Sequence, residues 1–119
     1  MQDIVEYFEC TEGLGLLATA AKDGKVNAAP YAKPRFADPT TVAFVMADRL
    51  THKNVVANPH ACYIFIAEGA EYDGRRLYLT CVRDEPLKEG PTKDGEAKFL
   101  TTFRIDTVLP LVSEGEKKS

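Results

Sequence analysis

The chain reads as a mainly β domain of the α+β class, in which six antiparallel strands close into a small barrel with a few short helices beside it. Three observations predict this. Short apolar runs rich in Val, Leu, Ile, Phe and Tyr recur along the chain, and residues 76–84 alternate between two faces. Tight-turn residues separate neighbouring runs, as Asp23-Gly24 does, and short turns make successive strands antiparallel. Six strands under so few helices lose their exposed edges most simply by closing on themselves. At 119 residues the chain is the size of one domain, taken as residues 1–119, and 45% hydrophobic content fills one modest core.

The elements follow in order. Asp3 and Glu6 have capping-box spacing, and Ile4, Val5 and Phe8 share a helical face, so residues 4–11 form a helix ended by Gly13. This helix is a lid on one end of the sheet structure. Residues 14–21 are a small-residue apolar strand, residues 22–25 a turn, and residues 26–32 the returning strand. Pro30 cannot donate to a ladder, so that strand has a free edge, a bulge, or a backbone approached by something other than a strand. Asn27, Ala28 and Ala29 are short, which leaves room for a flat ligand against the backbone; the plainer alternative is an ordinary edge strand. Residues 33–41, with Pro34, Asp38 and Pro39, read as a turn, and residues 42–47 as the third strand.

A short helix follows. Thr51 is its expected N-cap, Leu50 and Val55 have the spacing of a hydrophobic staple, and Asn58-Pro59 stops it. Residues 61–68 form a strand that is apolar on both faces and therefore central. After a hairpin loop at 69–74 comes the strand 76–84, with Leu77, Leu79 and Cys81 on one face and Tyr78, Thr80 and Val82 on the other. One face suits a barrel core and the other a partner subunit. Residues 85–95 read as loop and 96–103 as a helix, from Ala97, Leu100 and Phe103 at spacings of three. Residues 107–113 are the last strand, with Pro110 placing it at an edge or bulge, and 114–119 a polar, frayed tail.

The helix after strand three has an unusual first turn. Helix N-termini carry free N–H groups and partial positive charge, which favour Asp or Glu. Here stand His52, Lys53 and Asn54. Free N–H groups, a threonine hydroxyl and a lysine amine together suit a phosphate; the plainer alternative is a solvated helix end.

Composition excludes several classes. A net charge of −3, with 15 scattered Lys and Arg, gives no field for nucleic acid or an acidic membrane surface. No apolar run approaches the roughly 20 residues of a membrane span. The first residues lack the layout of a signal peptide. Cys10, Cys62 and Cys81 are far apart and form no C-x-x-C, so no zinc site or redox pair is expected. Cys62 and Cys81 sit within apolar alternation and read as packed thiols. His60, just after Pro59, reads as a surface turn residue. The expected setting is reducing and cytoplasmic.

With this layout, the sequence resembles the pyridoxamine 5'-phosphate oxidase-like FMN-binding split-barrel family, in its small single-domain members. Three stretches carry the resemblance, which covers about residues 4–113. These are Thr51-His52-Lys53 followed by Asn58-Pro59, the strand Val26-Asn27-Ala28-Ala29-Pro30, and the G-x-x-L-x-L pattern at 74–82. It implies a six-stranded split barrel and a homodimer with FMN at the subunit interface. It places His52 and Lys53 on the FMN phosphate, with Thr51 and Asn54 beside them and Asn27 on the phosphate or ribityl chain. Ala28, Ala29 and Pro30 would offer backbone to the ring, Met46 and Ala47 would line its other side, and Arg76 would lie near it. The function implied is an oxidoreductase exchanging hydride or electrons at FMN. The alternative is a non-catalytic electron carrier or flavin store, which the lack of a visible acid–base pair favours. No catalytic side chain is assigned. These 119 residues are too few to hold the C-terminal substrate region of pyridoxamine-phosphate oxidases proper and show no matching Arg/His pair, so that reaction is not expected.

Overall fold

A computed structural model describes residues 3–69, 71–87 and 97–112. Helix α1 (Ile4–Cys10) starts on Asp3, whose carboxylate accepts from the Glu6 amide at 2.9 Å, as the capping-box spacing predicts. It stops at Cys10, because Thr11 is already extended and Gly13 opens the first strand. The last turn is finished by a residue from elsewhere in the chain. Lys33 Nζ donates to the carbonyls of Phe8 (2.9 Å) and Thr11 (3.1 Å) and pairs with Glu12 at 2.8 Å. A cation there satisfies carbonyls that a helix end leaves without partners. Replacing Lys33 with methionine, which keeps the stem, is expected to lower the unfolding free energy by about 1.5–3 kcal/mol. An unchanged urea midpoint would show that the cap carries no weight.

Among the described residues seven strands make one sheet: β1 (Gly13–Ala20), β2 (Val26–Pro30), β3 (Arg35–Asp38), β4 (Thr41–Ala47), β5 (His60–Ala67), β6 (Gly74–Pro86) and β7 (Lys98–Pro110). Their order is β2-β1-β5-β6-β7-β4-β3, antiparallel at every pairing. The Asp23-Gly24 turn forms as expected: Gly24 takes φ +92°, which only glycine adopts without strain, and Asp23 accepts from the Lys25 amide at 3.1 Å. β5 lies between β1 and β6, and β2 is an edge ending on Pro30.

Two expectations are corrected. Among the described residues the strand count is seven rather than six, because residues 35–38 form β3 inside what reads as a turn. Asp38 does turn the chain, accepting from the Thr40 amide at 2.9 Å, but Arg35, Phe36 and Asp38 itself pair with β4. Residues 98–103 belong to β7 and not to a helix. Thr101, Thr102 and Phe103 are all buried because β7 is paired to β4 on one side and β6 on the other. Two β-branched residues and two aromatics in this stretch suit a pleat better than a helix, and a spacing of three fits either. The expected tail, and most of the expected loop at 85–95, lie outside the described residues.

β6 and β7, at 13 residues each, are shared by both halves of the barrel. Residues 74–80 of β6 pair with β5, whereas residues 98–104 of β7 pair with β4. Register shifts fall at Tyr78/Leu79, near the end of the β5-paired stretch, and at Cys81/Arg83, just beyond it, and bulges of this kind bend a ribbon. The inner faces enclose an aromatic core of Tyr7, Phe8, Phe44, Tyr63, Phe65 and Phe103 with Leu17, Leu77, Leu79 and Met46. Helix α1 closes one end, with Phe8 5.0 Å from Phe65 between ring centroids. Cys62 and Cys81 are half-buried free thiols, both raised above the usual range by burial, with Arg76 pulling Cys62 partly back. Among the described residues no helix is long and apolar enough to cross a membrane.

Candidate anion site at the start of helix α2

Helix α2 (Leu50–Ala57) leaves β4 through Asp48 and Arg49 and stops on Asn58, whose amide donates to the Asn54 carbonyl at 2.7 Å before Pro59. Its cap is Arg49 and not Thr51, and no side chain satisfies the cap position. The Arg49 amide is bound back to the Ala47 carbonyl at 2.8 Å, which turns the chain into the helix two residues early. The first turn therefore holds Leu50, Thr51 and His52, and it contains no acid.

Five side chains meet there. Asn27, half-buried on β2, donates from Nδ2 to the Thr51 hydroxyl at 3.3 Å. Asn54 donates to the Thr19 hydroxyl on β1 at 3.1 Å, both groups being buried. Burial raises the Tyr31 hydroxyl above its usual range, while a hydrogen bond with Thr51 and the Arg49 charge bring it partly back. The β1–β2 hairpin thus presses on one side of the turn. Arg49 and Lys53 are both exposed beside it. The start of α2 thus brings helix N-terminal N–H groups, two exposed cations and the buried Thr51 hydroxyl close together, the kinds of group that bind anions at helix N-termini.

Beyond it runs β2. Among the described residues this strand pairs with β1 alone and stands at the edge of the sheet, and Ala28 and Pro30 are exposed while Ala29 is half-buried. Small side chains and an unpaired edge leave a flat surface for a planar group.

The other expected residues are placed differently. His52 is buried and turned to the far side of the helix, where Nε2 is 2.8 Å from Asp84 and its ring stacks on Phe99 at 3.9 Å. Asn54 is committed to Thr19. Met46 is wholly closed within the core and leaves no surface to a ligand, because its strand alternates and Val45 takes the outer face. Ala47 is half-buried at the end of β4. Arg76 lies on the outer face of the sheet, its Nε donating to the Pro110 carbonyl at 2.9 Å. It shares the cross-strand row Pro30, Leu16, Ile64, Arg76. Three strand spacings put it about 14 Å from Pro30. Arg49 and Tyr31 are the residues that the sequence reading omits. Placing the cap at Thr51 pushed Arg49 outside the turn, although a cation just ahead of an acid-free helix start was the signal.

No family model matches the chain, and no curated protein matches it in sequence. Solved structures do match in fold. An FMN-binding protein from Syntrophomonas wolfei superposes with a TM-score of 0.71 at 18% identity, covering 89% of this chain and 82% of that one. HupZ of Group A Streptococcus gives 0.66 at 21% identity, over 85% and 86%. The styrene monooxygenase flavin reductase of Pseudomonas putida gives 0.61 at 9% identity, over 87% and 82%. At these identities the shared property is the split-barrel fold.

Proposed function

We propose that this chain binds FMN, with the phosphate on the first turn of α2 and the ring along the open edge of β2, and acts as a flavin-dependent oxidoreductase. The observation that carries the reading is the acid-free start of α2, flanked by Arg49 and Lys53 and joined through Thr51 to Asn27 on an edge strand of small residues. FMN is a phosphate joined to a long flat ring and needs both surfaces. Two proteins of the same fold, an FMN-binding protein and a flavin reductase, support it. Bound FMN would supply hydride or single-electron exchange. The chain's own residues hold charge and shape: Lys53 and Arg49 meet the phosphate, the helical N–H groups donate to it with Thr51 beside them, and Ala28 and Ala29 keep the strand edge clear.

Lys53→Ala is expected to weaken FMN binding about ten- to a hundredfold, the worth of one charge-assisted hydrogen bond. Flavin titration followed by fluorescence reads this, and an unchanged affinity would remove Lys53 from the site. Asn27, Ala28, Ala29 and Pro30 carry no titratable group, which favours a carrier or flavin store as the second reading. Turnover of NADH or NADPH with the loaded protein separates the two, since a carrier gives none by itself.

The site also suits a homodimer. On the outer face of the sheet, Leu14 pairs with Ile66, Leu16 with Ile64 and Cys62 with Tyr78, and Leu14, Ile66 and Tyr78 are exposed. A second copy covers such a patch with its own. Sedimentation at micromolar concentration is expected to give twice the 13.1 kDa chain mass. A monomer mass would separate the flavin site from any shared interface.

A further inference from the structure

We infer that His52 is a positioning residue that holds the first turn of α2 against the β6–β7 ribbon and sets the anion site from behind, without touching the anion. The inference rests on the reading of that turn as a phosphate site. His52 is 6% exposed. A carboxylate can only accept, so the 2.8 Å contact with Asp84 puts the proton on Nε2. The other oxygen of Asp84 accepts from the hydroxyl of Thr101 at 2.9 Å, and Thr101 is wholly buried in β7. The imidazole lies on Phe99 with planes 12° apart, and its Nδ1 faces Asp48 at 3.7 Å. The ring is therefore fixed along its plane by Asp84 and across its plane by Phe99.

On the opposite side, Thr51 and Asn54 tie the same turn to Asn27 on β2 and Thr19 on β1. The turn is stretched between the two halves of the barrel, and His52 supplies the β6–β7 half of the suspension. An anion site made of backbone N–H groups works only if those groups are held to within about half an ångström. Losing the His52 tie releases the turn on one side while leaving the core and the β2 edge in place.

The test compares FMN with riboflavin, which has the same ring and no phosphate, by fluorescence titration of the full chain. His52→Leu is expected to lose about tenfold or more in FMN affinity, with riboflavin within twofold. His52→Gln, whose amide keeps a donor for Asp84, is expected to recover most of that loss. Asp84→Asn, which keeps an acceptor but not the charge, is expected to lose about threefold for FMN alone, and is decisive where His52→Leu does not fold. Equal losses for both flavins, or no loss for FMN, would overturn the inference while leaving the phosphate site standing. A wild-type chain that binds neither flavin would overturn the phosphate site and this inference with it.

Discussion

Replacing Phe65 with alanine is expected to cost about 3–5 kcal/mol of unfolding free energy. Phe65 is wholly buried on β5, with ring centroids 5.0 Å from Phe8 and 6.1 Å from Tyr7. It meets both buried rings of helix α1, so truncation removes a core ring and part of the seat of the lid together. Domains of this size are stable by only about 5–15 kcal/mol, so the variant should melt on the order of 15 °C lower. Val56→Ala on the exposed face of α2 is the control, expected within about 0.5 kcal/mol of wild type. A Phe65 loss below about 1 kcal/mol would mean that the lid does not lean on this core.

Gly15→Ala is expected to be nearly as severe, by about 2–4 kcal/mol, and to damage the anion site as well. A Cβ at Gly15 would overlap the Tyr63 hydroxyl and lie 2.7 Å from the Tyr31 carbonyl. The Tyr63 ring cannot retreat: it is wholly buried, 5.2 Å from Phe44 and 6.2 Å from Phe8. Its hydroxyl lies 3.1 Å from the carbonyls of both Tyr31 and Ala32, and it donates to this pair. The Tyr31 amide donates to the Gly15 carbonyl at 3.0 Å. These bonds position the chain leaving β2, and with it the Tyr31 hydroxyl beside Thr51. A methyl group breaks them all at once. The variant should shift the urea midpoint and, in buffer where it remains folded, weaken FMN binding. Wild-type stability would show that the Tyr63 pocket has slack.

Much of this architecture was legible because local signals agreed with tertiary packing. Asp23-Gly24, Pro30 at the end of an edge strand, the Asp3 cap and Asn58-Pro59 each dictate a backbone state that the fold keeps. The failures share a cause. Residues 98–103 have apolar spacing compatible with either a helix or a strand, and only pairing with β4 and β6 decides it. β3 is four residues long and flanked by turn formers, so its pairing has almost no sequence signal. At the site, the sequence located the turn but not the direction of its side chains. His52 looks like a cation at a helix start, yet Asp84 is 32 residues away and Phe99 is on another strand, so nothing local reveals that the ring is claimed from behind. Met46 shows the same limit, since the face a strand residue takes depends on which side the barrel closes.

The measurement that bears most directly on the account is the visible absorption spectrum of the chain purified without added cofactor, followed by identification of whatever denaturation releases. The account predicts flavin bands and FMN in the released material, or, for chain purified empty, saturable uptake of added FMN. A colourless chain that takes up no added FMN would contradict it, and the turn Arg49–Lys53 would then be an anion site for another phosphorylated ligand or a plain helix start.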